Sequence, residues 1–200
     1  MSTAQQLAPE PPTELRGERV LLRPYRPEDA PEVFAAVNES RERIKVWLPW
    51  AEDGHRSLAD TEEFIQRVAG EWRERTQFVL GMWDATSGRF VGGAGLHFRD
   101  PDVSYYELGY WIREGEVGRG YVREAVQLQS KCAFETLGAN RIEIRCDARN
   151  DHSRRVPESL GFRLEGRLRN HMRHTDGSLR DTLVFALTPD DYARVRGNWP

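Results

Sequence analysis

Two stretches of this chain combine residue types and spacings that could do chemistry. The first is Gly109-Tyr110-Trp111-Ile112 followed by Val117-Gly118-Arg119-Gly120-Tyr121, a strand-like run, a glycine-bearing loop and the head of a helical pattern. A helix N-terminus presents unpaired backbone N–H groups and a partial positive charge, and glycines let an anion approach them closely. The stretch reads either as a pyrophosphate cradle or as an ordinary tight connection. It is neither the dinucleotide fingerprint nor the P-loop, because Arg123 stands where a third glycine belongs and no Lys-Ser/Thr pair follows. The second stretch is Asn150-Asp151-His152-Ser153, then Val156, Glu158, Leu160, Gly161 and Phe162. Here Asn150 or Asp151 can cap a short helix and Gly161 can close it.

Other candidates stand around these two. Glu107 lies on a strand-like run just before Leu108-Gly109-Tyr110, where it is either an ordinary exposed carboxylate or a base. Trp47-Leu48-Pro49-Trp50 sets two indoles about a proline that forbids a long helix, so the rings demand burial or a ligand. Glu165, His171 and His174 are further titratable side chains, with His174 near a hairpin tip and read as solvated. The two cysteines, Cys132 and Cys146, fall in no CxxC or Cys/His spacing, so neither a metal site nor a disulfide scaffold is expected.

These residues need a scaffold, and periodicity predicts one. A strand over 19–23 feeds a helix that opens on Pro27-Glu28-Asp29-Ala30 and ends near Asn38. A second helix is expected over 57–75, where Leu58, Phe64, Ile65, Val68, Ala69 and Trp72 recur at helical spacing. Strands over 78–83, 90–98 and 104–112, with short connections, make an antiparallel meander. A helix over 120–137, a strand over 141–146, a short helix over 151–160, strands over 162–172 and 182–187, and a last helical turn complete the order. Residues 1–14, with Pro9, Pro11 and Pro12 close together, are expected to be a flexible tail, and 15–200 one domain.

Composition bounds the class. The 200 residues are 38% hydrophobic and 30% charged with 6 Trp, 8 Phe and 6 Tyr, enough large apolar side chains for one core. Wholesale disorder and a multidomain machine are excluded. The 29 basic and 32 acidic residues give a net charge of −3 without long like-charged runs, which argues against a nucleic-acid partner. No run approaches eighteen apolar residues and residues 1–13 are polar, so a cytoplasmic protein with no membrane partner is expected. Only Lys45 and Lys131 are lysines, so arginine supplies almost all the positive charge, through codon bias or for phosphate binding. The charge is also uneven: residues 1–112 carry 13 basic and 19 acidic side chains (net −6), and residues 141–200 carry 12 and 9 (net +3).

Taken together, Gly109-Tyr110-Trp111, Gly118-Arg119-Gly120-Tyr121, Glu124-Ala125, Asn150-x-x-Ser153 and Glu158-x-x-Gly161-Phe162 resemble the GNAT superfamily of acetyl-CoA-dependent N-acetyltransferases. Within it the chain looks most like the branch of bacterial ribosomal-protein N-terminal acetyltransferases. The resemblance runs over roughly residues 15–190 and is most specific over 105–165. It implies an α/β (α+β) domain with a central mixed, mostly antiparallel twisted sheet of about seven strands and helices on both faces. The strands near 104–112 and 141–146 are expected to part and admit the pantetheine arm of acetyl-CoA. The pyrophosphate is expected on the amides of Val117, Gly118, Arg119, Gly120, Tyr121 and Val122. The arm is expected to pair with the backbone near Trp111 and Ile112, and Asn150 and Ser153 to contact it.

The same resemblance assigns Glu107 as the base, direct or through water. Trp47 and Trp50, with the helix that follows, are expected either to form one wall of the acceptor cleft or to anchor their loop in the core. Two positions depart from the pattern. Gly115 replaces the usual Gln/Arg of the loop, a contact made largely by backbone. Pro157 stands where many relatives carry a tyrosine that protonates the departing thiolate, and Ser153 is the nearby donor expected to serve instead. Pro157 also deletes a helical N–H, which points to a helix starting late, around Ser153. The expected reaction is direct transfer of acetyl from acetyl-CoA to a primary amine of a peptide or protein N-terminus by a monomer or homodimer. The alternatives are a small-molecule amine acceptor and a catalytically weak acyl-CoA binding or sensing module.

Overall fold

In a computed structural model, which describes residues 9–174 and 176–199, one eight-stranded sheet runs through the molecule. Its strands are β1 (Leu15–Arg16), β2 (Val20–Arg23), β3 (Gln77–Asp84), β4 (Phe90–Asp100), β5 (Tyr105–Ile112), β6 (Arg141–Asp147), β7 (Arg163–Arg173) and β8 (Leu179–Leu187), in the spatial order β1-β2-β3-β4-β5-β6-β8-β7. The helices are α1 (Ala30–Ile44), α2 (Trp50–Asp53), α3 (Leu58–Arg73), α4 (Tyr121–Glu135), α5 (Asp151–Ser159) and α6 (Pro189–Val195). All neighbouring strands are antiparallel except β5 and β6.

The expected antiparallel meander, and the helices and strands expected after it, are all present. The eighth strand is β1, whose two residues pair with Leu22 and Leu21 and are too few to show an alternation in sequence. The backbone of the β1–β2 turn is tied to α4, since the Glu124 carboxylate accepts from the N–H groups of Glu18, Arg19 and Val20, each at 2.9 Å. Of the expected tail, residues 1–8 lie outside the described residues. α1 continues past Asn38 to Ile44, and the segment expected to be a loop around Trp50 contains the one-turn α2.

Helices cover both faces. On one face, α4 packs Val126, Cys132 and Ala133 onto Phe78, Leu96, Tyr106, Ile142 and Phe185. On the other, Val33 and Val37 of α1 and Ile65 and Val68 of α3 cover Trp83 and Phe90. α3 starts from a reciprocal cap in which Ser57 and Asp60 satisfy each other's backbone N–H groups.

The feature that positions the site is the seam between β5 and β6. These strands pair only at Tyr105–Arg141, Tyr106–Ile142 and Glu107–Glu143, although β5 continues to Ile112 and β6 to Asp147. From Leu108 onward they part. A parallel pair needs a crossover connection, and the 113–140 segment with α4 supplies it, leaving the glycine loop at the open end of the seam.

Candidate active site

At that open end the loop between β5 and α4 has the geometry of an anion cradle. Gly118 and Gly120 adopt positive φ values of 81° and 86°, and Gly120 occupies the cap position of α4 with no side chain capping the helix. The backbone amides of residues 117–123 donate to no protein group among the described residues, so they remain available to a ligand. A Cβ at Gly118 would meet nothing within 4 Å, so the space in front of the loop is open. Val117, Gly118, Arg119, Gly120, Tyr121 and Val122 are thus brought together.

Two of these side chains also brace the loop. The Tyr121 hydroxyl donates to Asp84 at 2.6 Å and Arg119 pairs with the buried Glu116 at 2.8 Å. The Tyr121 bond, with those from Ser87, holds the Asp84 carboxyl far below the usual range. Beside the loop a groove of about 840 Å³ carries Arg16, Arg19, Arg119, Arg123, Lys131 and Arg196 against Glu18, Glu124 and Glu135. Most of its positive charge comes from the β1–β2 turn and α4, with Arg196 the C-terminal contributor.

Along the seam, the ladder alternation decides which backbone groups are free. The Arg113 amide donates to the Val91 carbonyl at 2.7 Å, so, two residues on, Gly93 and Trp111 form the next mutually bonded pair. The polar backbone of Trp111 therefore serves β4, which corrects the expectation that it pairs with an incoming arm. The groups facing the seam are those of Leu108, Tyr110 and Ile112. The Ile112 carbonyl already accepts a short bond from Arg43 of α1. Tyr110 and Ile112 thus replace the expected pair Trp111 and Ile112.

α5 closes the seam on the α4 face. The Asn150 side chain accepts from the Ser153 amide at 3.0 Å, a helix cap. α5 starts at Asp151 and still contains Pro157, so the late start expected from the proline is not how the chain accommodates it. Pro157 has no N–H for the Ser153 carbonyl four residues earlier, and the Tyr110 hydroxyl donates to that carbonyl instead, at 3.1 Å. The same hydroxyl lies 3.2 Å from Ser153 Oγ. Burial pushes the Tyr110 phenol well above its ordinary range and the nearby Cys146 thiol up to about 11, so both stay protonated at neutral pH.

On the opposite face a polar row crosses four strands in register: Gln77, His97, Glu107 and Glu143. Glu107 pairs with Arg99 at 3.1 Å. Glu143 is held by Tyr105 and by Arg141 and Arg145, and these bonds outweigh burial and lower its pKa. His97 bonds through Nδ1 to Gln77 Oε1, and burial, reinforced by Arg99, lowers it to about 4. This histidine borders a cavity of about 960 Å³, floored by Gly93, Gly95 and Gly109 and walled by Tyr25, Trp50, His55, Phe64 and Trp111.

Trp50 faces this cavity, edge-on to Trp111 at 6.0 Å between centroids. Trp47 turns the other way, edge-on to His174 at 6.3 Å, so the two indoles do not form one wall. His174 is not solvated as expected: its side chain is 5% exposed, with Nε2 2.8 Å from Asp147 and Nδ1 3.2 Å from the Val46 carbonyl. Glu165 pairs with Arg141 and His171 with Thr182, outside the cavity. His97 is the residue that motif reading misses. A lone histidine in a strand carries no local signal, and only the cross-strand register sets it beside Glu107.

Comparison with known proteins follows the same lines. Residues 19–163 match the family described as acetyltransferase (GNAT) domain. The chain is 30% identical over 172 residues to "Putative ribosomal N-acetyltransferase YdaF" of Bacillus subtilis (strain 168), covering 85% of this chain and 91% of that protein. A crystal structure described as a probable acetyltransferase superposes with a TM-score of 0.82 at 27% identity, over 89% of this chain and 98% of that one. A ribosomal L7/L12 alpha-N-protein acetyltransferase, RimL, in complex with coenzyme A shares the fold with a TM-score of 0.82 at 18% identity, over 89% of this chain and 99% of the other.

Proposed function

This chain belongs to the GNAT acetyltransferase family and is an acetyl-CoA-dependent acetyltransferase; from that premise we propose that its acceptor is the N-terminal amine of a peptide or protein. The observation that carries the reading is the parted β5–β6 seam, with an amide-lined loop at its open end and a cavity over the same stretch of β5. Acetyl-CoA supplies an acetyl group activated as a thioester. In this reading the loop amides of residues 117–122 and the adjoining arginines hold its phosphates, and the backbone groups of Tyr110 with the amide of Ile112 guide its arm, the Ile112 carbonyl being taken by Arg43.

The remaining residues serve the transfer. Direct attack needs a neutral amine, and an α-amino group, with a pKa of about 7.7–8.0, gives up its proton far more readily than a lysine at about 10.4. Glu107 takes that proton through water, its charge steadied by Arg99. Ser153 turns its hydroxyl from Tyr110 to donate to the departing sulfur in the absence of the usual tyrosine; a thiol pKa of about 8.5 makes this a modest demand. Trp50 forms the apolar wall against the acceptor's first side chain, while Trp47 anchors the loop that carries Trp50. The name of YdaF, a putative ribosomal N-acetyltransferase, supports a protein acceptor.

A small amine is the second reading, favoured by the aromatic walls of the cavity. Asp53, Asp60, Glu63 and Glu71 line the cavity with Arg67 and Arg99, a balance suited to a single cationic amine more than to a polycation. We place the enzyme in the cytoplasm, as a monomer or homodimer. No helix among the described residues is long and apolar enough to cross a membrane. Thiol release from acetyl-CoA with a panel of N-terminal peptides and small amines tests the acceptor: faster turnover of peptides is expected, and turnover of small amines alone would overturn it.

A further inference from the structure

An ammonium group loses two protons on becoming an amide nitrogen, and Glu107 accounts for only the first. Resting on the acetyl-transfer reading, we propose that His97 Nε2 takes the second proton, directly from the acceptor nitrogen, as the C–N bond forms.

Geometry singles out this nitrogen. Nδ1 of His97 lies 2.5 Å from Gln77 Oε1, an acceptor, so Nδ1 carries the hydrogen and Nε2 keeps a lone pair. Nε2 sits 2.8 Å from where a Cβ on Gly95 would be and 3.1 Å from one on Gly109. Both residues are glycine, so nothing else fills the space under the ring, and both form the floor of the cavity. Gly109 is two residues past Glu107, the last position at which β5 pairs with β6. The lone pair therefore lies over the start of the open seam. The next residue, Tyr110, turns to the other face and meets Ser153. Successive strand residues alternate faces, so His97 and Ser153 attend the same point of β5 from opposite sides.

Burial first, and then the charges around it, keep His97 neutral. It faces Arg99 on its own strand, Glu107 from β5, Glu71 from α3 and the uncharged Gln77 from β3. Burial and Arg99 outweigh Glu71, holding the ring near 4, so its lone pair is present throughout the neutral range. Such a weak base would not deprotonate an ammonium. It suffices once the nitrogen's lone pair has gone into the C–N bond, because the remaining N–H is then strongly acidic.

The transfer balances. The amine lone pair forms the C–N bond while the carbonyl π pair moves onto oxygen, and the N–H proton passes to Nε2. The oxygen pair then re-forms C=O, the C–S bond breaks, and sulfur leaves with its pair and takes a proton from Ser153 or water. Glu107 and His97 return their two protons to solvent, one of which restores the hydrogen that Ser153 or water gave to sulfur, so one proton is released per turnover.

The test is His97→Ala, assayed with the best peptide acceptor and for acetyl-CoA affinity by calorimetry. A fall in kcat of roughly 100-fold, acetyl-CoA affinity within about twofold, and partial recovery on adding imidazole are expected. A second variant, Gln77→Leu, removes the bond that sets the tautomer and is expected to lower kcat with little change in KM. Unchanged kcat in both variants, or a loss in His97→Ala that imidazole does not restore, overturns the proposal. Failure of the unaltered enzyme to acetylate any amine would instead remove the transfer reading beneath it.

Discussion

Pro157 would leave the Ser153 carbonyl without a partner, and the Tyr110 hydroxyl meets it. Tyr110→Phe is therefore expected to strand a part-buried carbonyl and cost about 1 kcal/mol in denaturant unfolding. In a Pro157→Ala background the helical N–H returns, so the same substitution should cost clearly less; equal costs in both backgrounds would refute the pairing. Ser153→Ala is expected to slow release of the thiol about tenfold while acetyl-CoA affinity holds, as measured by stopped-flow thiol detection. Glu107→Gln should depress the rate most at low pH, where the acceptor's ammonium form dominates. At this scale the motifs were legible because glycine, capping residues and acids announce themselves locally. His97, the Tyr110–Ser153 bond and the buried His174–Asp147 pair were not, since each depends on strands or loops distant in sequence.

The elements were the most readable level. Alternation marked the long strands, while Pro27-Glu28-Asp29-Ala30 and the helical spacing from Leu58 to Trp72 marked α1 and α3. β1 and α2 were hidden because two and four residues are too short for a period to appear. Register was hidden as well, and it decides that Trp111 spends its backbone on β4. The start of α4 makes its own prediction. At φ of 86° a Cβ is strained, and a Cβ on Gly120 would approach only the Arg19 side chain, at 3.7 Å. Gly120→Ala is thus expected to cost about 1–2 kcal/mol from backbone strain, and to weaken acetyl-CoA binding as the loop amides turn. Calorimetric titration beside a thermal melt would check both, and undiminished affinity would remove the loop from the binding site.

Across the whole molecule, the charge asymmetry seen in composition becomes spatial. Four carboxylates reach the cavity, while arginines gather beside the glycine loop. The cavity also holds two histidines, His55 and His97, each lowered by burial to about 4. The unfolded chain binds protons on both from about pH 6.5, whereas the folded protein refuses them until about pH 4. Stability should accordingly fall as pH drops through that window and rise again with pH. A shallower dependence of the melting temperature in His97→Gln would confirm the share of that ring, and an identical slope would deny it. The central claim, transfer of acetyl to an N-terminal amine, is tested most directly by the mass and fragmentation of a peptide incubated with the enzyme and acetyl-CoA. A single added acetyl on the α-amine, with equimolar free thiol, is predicted. Acetyl-CoA bound but left intact, or an acetyl found only on lysine side chains, would contradict it.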